Sequence, residues 1–204
     1  MRKSLIAIVL CLSACSVKVD LADVAIPALP GDAIIPGKYA AFVQDGGWQL
    51  EAQSRGIDNC GGWTFDADVN AIYQTAMKAS LMRSVEKVTF LPGPLPPAEI
   101  SAQGYDALIV IHQANASTAL GVSSGFHRTA RSTVALTTIV AIIQQKGNVY
   151  QGTRESKGSG VARSWGCRDV AVAVKNAAQS AVQATIVATS AEIRRGLTVA
   201  QQAR

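Results

Sequence analysis

The sequence predicts an α+β fold in which a mostly antiparallel sheet of about five or six strands carries two main helices on one face. Three observations predict it. Segments follow one another in the order strand pair, helix, strand, short helix, strand, long hairpin, helix. An apolar run over residues 105–112 suits a strand covered on both faces, and residues 169–195 place their apolar side chains at helical spacing.

The first half of the predicted domain contains three strands and one helix. Strands are predicted at 39–43 and 48–53, and Gly46-Gly47 between them suits a tight hairpin turn. Apolar residues at helical spacing predict an amphipathic helix from 69 to about 84. A strand over 85–91 then stops at a Pro-Gly-Pro turn.

The second half begins with a short helical turn over 96–104, which starts at proline and stops at glycine. Residues 105–112 form the predicted central strand, and 116–125 is expected to be flexible. A long strand at 129–144 and another at 149–155 flank a hairpin signal. These two strands form the predicted long hairpin.

A long alanine-rich helix is predicted from Asp169 to about Arg195. Gly196 is expected to end it, and Arg194 and Arg195 suit the negative end of the helix dipole. Gly158-Ser159-Gly160, which precedes this helix, is expected to form a turn in a loop and not a phosphate cradle.

The first fifteen residues predict where the protein resides. Two positive charges, Arg2 and Lys3, precede an apolar run over 5–12 and then small residues, which is the order of a secretory signal peptide. The run is too short to span a bilayer, which needs about 20 apolar residues. We therefore expect the protein to be exported.

Leu12-Ser13-Ala14-Cys15 resembles the lipobox of bacterial lipoproteins. The resemblance implies cleavage before Cys15 and attachment of diacylglycerol and a fatty acyl chain such as palmitate, which together anchor a protein almost permanently. Ser16, and not aspartate, follows the cysteine, which in this family indicates the periplasmic face of the outer membrane. The alternative is an ordinary cleaved signal peptide in which Cys15 has no role.

The chain is expected to have three parts: a signal peptide over 1–14, a lipidated proline-rich tether over 15–37, and a single α+β periplasmic domain over 38–204. The tether contains prolines and glycines and has no sustained helical or alternating pattern. About 20 extended residues reach roughly 65 Å. Such a tether would let the domain work well away from the bilayer.

Cysteine usage predicts one disulfide bond. Cys11 leaves with the signal peptide and Cys15 is lipidated, so Cys60 and Cys167 remain in an oxidising compartment. Their bridge would close a loop of just over a hundred residues, which contributes about 4 to 5 kcal/mol in the chain-entropy model. A reactive thiol pair or a metal pair is the alternative.

The sequence predicts no catalytic residue, no cofactor and no metal site. The common nucleophile, zinc and nucleotide motifs are absent, and His112 and His127 suit structural or solvated positions. Removal of Arg2 and Lys3 lowers the formal net charge from +5 to +3, which is too small to indicate nucleic-acid binding. An enzyme with an unrecognised site stays open as an alternative.

Two further features have alternative interpretations. Trp48, Trp63 and Trp165 are expected to pack over the disulfide bond, with a ligand-stacking platform as the alternative. The hairpin over 129–155 is long enough to insert into a membrane as part of an oligomeric pore. Because both of its faces are apolar, we expect it to be buried sheet core instead.

The order of a strand, an amphipathic helix, a short Pro-to-Gly turn, the run Tyr105-Asp106-Ala107-Leu108-Ile109-Val110, a long hairpin and a terminal helix looks like that of small periplasmic lipoproteins accessory to envelope assembly. These include the curli-assembly and penicillin-binding-protein-activator types. The resemblance implies a non-catalytic outer-membrane lipoprotein that binds another envelope protein as an accessory or assembly factor. A subunit or pilot of an oligomeric outer-membrane export pore is the alternative.

Overall fold

The computed structural model describes residues 16–21, 34–54, 62–123, 129–163 and 166–203. Within these ranges it has eight strands and three helices. The strands are β1 (Ser16–Lys18), β2 (Ile35–Gln44), β3 (Gln49–Gln53), β4 (Thr64–Asp68), β5 (Val85–Phe90), β6 (Ala107–Val122), β7 (Thr129–Gln144) and β8 (Gly147–Arg163). The helices are α1 (Asn70–Ser84), α2 (Pro97–Ala102) and α3 (Cys167–Gln202).

The strands form two mixed sheets. The larger has the order β5-β2-β6-β7-β8, with β6 at its centre as predicted. Strand β2 pairs parallel with β5 and β6, whereas β6, β7 and β8 pair antiparallel. The smaller sheet has the order β1-β4-β3, parallel between β1 and β4 and antiparallel between β4 and β3. The predicted α+β class is confirmed, although the strands are divided between two sheets and each sheet contains parallel as well as antiparallel pairs.

Glycines 46 and 47 do not form the predicted hairpin turn, because β2 and β3 belong to different sheets. Gly46 lies directly over Gln113 of β6: its N–H donates to Oε1 of Gln113 at 2.8 Å. A Cβ at Gly46 would lie 2.5 Å from Cβ of Gln113. Gly46 therefore allows the chain to pass closely over the large sheet as it enters the small one.

Helices α1 and α3 lie on one face of the large sheet, as predicted. Helix α3 packs on β7 and β8, and α1 packs on β5, β2 and α3. Short helix α2 covers the start of the opposite face, where Ile100 meets Ala40 and Leu108. The core between the large sheet, α1, α3 and the small sheet contains the largest fully buried side chains, among them Tyr39, Phe65, Tyr73, Met77, Leu136, Ile142 and Ile186.

Strand β6 continues through the stretch predicted to be flexible. Its register with β7 shifts between Gln113 and Asn115. Up to Gln113 the odd-numbered side chains are buried, whereas beyond the bulge the even-numbered ones pack toward the core. The bulge interrupts the period-two pattern, so the second half of the strand does not stand out in the sequence.

Helix α3 continues past Gly196, which was expected to end it. Gly196 is buried inside the helix, where an added Cβ would lie 2.6 Å from both Cγ1 of Ile142 and Cδ1 of Tyr150. Gly158 and Gly160 lie within strand β8 and not in a loop. An added Cβ at either residue would collide with the backbone of α3. These glycines therefore allow the helix to pack closely against the sheet.

The predicted boundary between tether and domain differs from the structure at both ends of the segment 15–37. Ser16–Lys18 forms β1 on the edge of the small sheet, and β2 begins at Ile35. The N–H of Val19 donates to the carbonyl of Asp66 at 2.8 Å, and only 8% of Val19 is exposed. A strand of three residues is too short to show an alternating pattern, and for this reason it was not recognised in the sequence.

Candidate functional site

The predicted modification sites fall mostly outside the described residues. Cys15 and Cys60 lie outside them, as do His127 and Trp165. Cys167 is the first residue of α3. The lipid attachment and the disulfide bond therefore stay predictions.

The disulfide prediction has a direct test in thermal unfolding. Cys60→Ser and Cys167→Ser are each expected to destabilise the oxidised protein by about 2 to 5 kcal/mol, because each opens the same covalent loop. The double variant is then expected to be no less stable than either single variant. Two free thiols in protein isolated from the periplasm would reject the bridge.

Trp48, immediately before β3, and Trp63, immediately before β4, lie at opposite ends of the antiparallel β3–β4 pair. Trp48 is buried against Tyr73, with ring centroids 5.0 Å apart. Trp63 is half-buried immediately before β4. Trp48 is therefore part of the core between the small sheet and α1.

The candidate site is the face of the large sheet opposite α3, which we call the open face. Helix α2 covers its first row, where Ala40, Leu108 and Ile143 belong to or pack against one cluster. Beyond this row, β6, β7 and β8 continue side by side. From residue 141 back to residue 131, β7 extends roughly 35 Å at about 3.4 Å per residue.

The rows of the open face change in character along its length. Phe42, Val110 and Ala141 form a half-buried apolar row next to α2. The next row contains the Gln44–His112 pair and Ile139. Beyond the bulge, the exposed uncharged side chains of β6–β8 include one large apolar residue, Val161, which is 56% exposed. The others are small or hydroxylated: Asn115, Ser117, Ala119, Thr133 and Ser159. The result is a smooth, hydrogen-bonding surface.

Charged groups lie on β7 and β8 of the same face. Arg131, Lys157 and Arg163 are exposed there, together with Glu155. Nζ of Lys157 lies 3.0 Å from Oε1 of Glu155. With three cations and one carboxylate, this part of the open face has a positive net charge.

His112 is held by a neutral neighbour on the open face. Its Nδ1 lies 2.8 Å from Oε1 of Gln44. The arrangement suits the structural position predicted for this histidine and makes Gln44 and His112 part of the surface of the sheet.

A buried carboxylate, which the sequence analysis did not single out, joins β8 to α3. Glu192 is 2% exposed. Its Oε1 accepts hydrogen bonds from Nη2 of Arg154 at 2.5 Å and Nη1 of Arg195 at 3.1 Å, and its Oε2 accepts one from the Tyr150 hydroxyl. Only tertiary contact with β8 shows that this helix glutamate is buried.

Burial raises the pKa of Glu192, but the hydrogen bonds from Tyr150 and Arg154 and the charges of Arg154 and Arg195 outweigh it, so the pKa lies below its ordinary 4.5. Burial, followed by the bond to the carboxylate, raises the pKa of the Tyr150 phenol above 10.0. The group therefore holds an ionised carboxylate and a neutral phenol at neutral pH. The bonds from Tyr150 and Arg154 join β8 to α3, and the bond from Arg195 lies within α3.

A concave surface lies on the small sheet. Its groove has a volume of about 710 Å³ and contains four acidic side chains and one lysine: Lys18, Asp20, Glu51, Asp66 and Asp68. In the parts of the chain that the structure describes, no group of three or more histidine, cysteine or carboxylate side chains is arranged to hold a metal ion. None of the helices in these parts is long and apolar enough to cross a membrane.

Comparisons with known proteins show a shared fold, but they do not assign the chain to a family. No protein-family model matches the chain, and no curated protein sequence matches it. A crystal structure from Helicobacter pylori, described as a neuraminyllactose-binding hemagglutinin homolog, has a TM-score of 0.56 at 10% identity and covers 89% of this chain and 98% of that chain. It shows that the fold is shared.

Two further structures are similar over most of their lengths. A protein from Xanthomonas campestris assigned to the DUF330 family model is 11% identical, with a TM-score of 0.48 over 90% of this chain and 99% of that chain. A minor lipoprotein from Acinetobacter baumannii is 9% identical, with a TM-score of 0.41 over 78% of this chain and 93% of that chain.

Proposed function

We propose that this protein is an outer-membrane lipoprotein whose periplasmic domain binds an acidic surface of another envelope protein through its open face, without catalysis. The open face carries the proposal. Three described strands present a bare surface about 35 Å long, while the other face of the same sheet is covered by α3. The lipobox resemblance at Cys15 supports the location.

The chemistry of the open face favours a protein partner. Its small and hydroxylated side chains offer hydrogen bonds and little obstruction, which suits a flat contact that resembles the polar rim of an interface more than its aromatic core. The positive balance from Arg131, Lys157 and Arg163 favours an acidic partner and predicts faster, salt-sensitive association. The Glu192 group supports a non-catalytic role, because its partners hold it inside the fold.

Site-specific photo-crosslinking in intact cells tests this function. A photoreactive amino acid at Thr133, on the open face, is expected to capture one envelope protein, and capture is expected to fall when Arg131 and Arg163 are changed to glutamate. The same amino acid at Thr198, on the exposed side of α3, is the matched control. Equal capture at both positions, or capture unaffected by the charge reversals, would contradict the proposal.

The same experiment tests the export-pore alternative. A pore subunit is expected to give adducts between copies of this chain at Thr133, whereas an accessory factor is expected to give adducts with a different protein. Mass spectrometry of the mature N-terminal peptide tests the anchor separately: an acylated Cys15 is expected, and Cys15→Ser is expected to release the protein from the membrane fraction.

A further inference from the structure

We infer that the domain lies directly on the lipid bilayer through the end of its small sheet that contains Ser16, with no free tether in between. The inference rests on the lipid anchor proposed above and deepens it. Ser16, the residue next to the proposed lipid attachment site, is already the first residue of β1. The anchor and the folded domain are thus consecutive in the chain.

Strand β1 is held by the domain at several points. It pairs in parallel with β4 from Ser16↔Thr64 to Lys18↔Asp66. The hydroxyl of Ser16 donates to Oδ2 of Asp66 at 2.5 Å. Val17 packs against the core, and Val19 is buried in it. The segment therefore belongs to the fold from its first described residue.

Chain geometry places the end of this sheet at the membrane. Consecutive Cα atoms are about 3.8 Å apart, so Ser16 lies within about 4 Å of the Cα that would carry the lipid. Thr64 and Gln53 are the register partners at the same end of the sheet. A tether of about 20 residues would have allowed a separation of roughly 65 Å; the structure removes that freedom.

The distribution of charge along the small sheet agrees with this orientation. The end row consists of Ser16, Thr64 and Gln53, all uncharged. Trp63, half-buried beside this row, is the kind of amphipathic side chain that suits the interface between headgroups and hydrocarbon. Among the described residues, this row itself carries no charge, and the carboxylate of Asp66 reaches it through the hydroxyl of Ser16.

The carboxylates lie farther along the same sheet. Glu51, Asp66 and Lys18 share a row two residues from the end, and Asp68 lies two residues beyond. Two strand residues extend about 7 Å, so the Glu51–Asp66 row lies within one Debye length of the end row, about 8 Å at physiological salt, and anionic lipid would repel these carboxylates. The acidic groove is therefore expected to face away from the bilayer and toward the periplasm.

Fluorescence quenching on vesicles tests whether the domain lies directly on the bilayer. The full lipidated protein, labelled at Gln53→Cys, is reconstituted into phosphatidylethanolamine–phosphatidylglycerol vesicles that carry a headgroup quencher. Strong quenching is expected. Insertion of 20 Gly/Ser residues between Cys15 and Ser16, whose r.m.s. length is about 25 Å, is expected to abolish most of it. The same insertion between Lys146 and Gly147, in the β7–β8 turn, is the matched control and is expected to leave it unchanged.

The outcomes separate this inference from the function on which it rests. The label at position 53 could be quenched weakly in protein whose Cys15 is acylated, and the Cys15–Ser16 insertion could leave that quenching unchanged. This result would show that the domain does not lie directly on the bilayer, but it would leave the lipoprotein assignment intact. An unmodified Cys15 would remove the assignment itself. A label at Glu51→Cys, in the acidic groove, is expected to be quenched less than the label at Gln53→Cys, and the reverse order would also overturn the orientation.

Discussion

Replacement of both Gly158 and Gly160 by alanine is expected to destabilise the protein by about 3 kcal/mol, because overfilling a packed contact typically costs about 1 to 3 kcal/mol per site. Thermal unfolding is expected to begin roughly 10 °C lower, at about 2 to 4 °C per kcal/mol for a chain of this size. The reason is steric. A Cβ at Gly158 would meet backbone atoms of Ala177 and Ala181, and neither can rotate away.

The direction of the stability change distinguishes a glycine packed against α3 from a glycine at an open position of a strand. At an open position, Gly→Ala stabilises by about 0.4 to 1 kcal/mol, since it reduces the entropy of the unfolded chain. Gly121 in β6 supplies that control, because nothing lies within 4 Å of its added Cβ. Gly121→Ala is expected to be neutral or slightly stabilising. Equal stabilities for Gly158→Ala and Gly121→Ala would show that α3 does not pack on β8 through these glycines.

Glu192→Gln is expected to destabilise the protein by about 2 kcal/mol at neutral pH, the scale of hydrogen bonds to a buried charged group. Arg154 and Arg195 are 44% and 59% exposed, so solvent screens them, and the full cost of an orphaned buried pair does not apply. Glu155→Gln is the matched control. That carboxylate is 53% exposed, and its loss is expected to change stability by less than about 0.5 kcal/mol.

The effect of Glu192 depends on pH in a defined direction. Its pKa is lower in the folded state than the ordinary 4.5, so the unfolded state binds the proton first. Its contribution is therefore complete above about pH 4.5 and is lost as pH falls through the lower, folded value. Urea denaturation of both proteins from pH 7 to pH 3 is expected to show the difference in stability shrinking at the acid end. A constant difference would contradict the assignment.

Much of the main architecture follows from local pattern. The alternating apolar residues of β7 predict its bounds, 129–144, because the strand is buried on alternate positions throughout. The run from 105 predicts a central strand, since β6 is covered there by α2 on one face and by the main core on the other. Helical spacing likewise predicts α1 and most of α3. In these segments one periodicity extends over enough residues to specify the element.

Other features depend on contacts between distant parts of the chain, and only the tertiary structure decided them. Gly158-Ser159-Gly160 has the composition of a turn, yet it is a strand because α3 passes so close that larger side chains would collide. Gly196 continues a helix for the same reason.

The N-terminal segment shows the same division. The lipobox is a local motif that the sequence states by itself, whereas β1 follows from pairing with β4, 48 residues away in register. The spacing of apolar residues in the sequence shows whether one segment is a helix or a strand. It does not show which strand pairs with which, or how closely a helix packs on a sheet, because these depend on steric fit between distant segments.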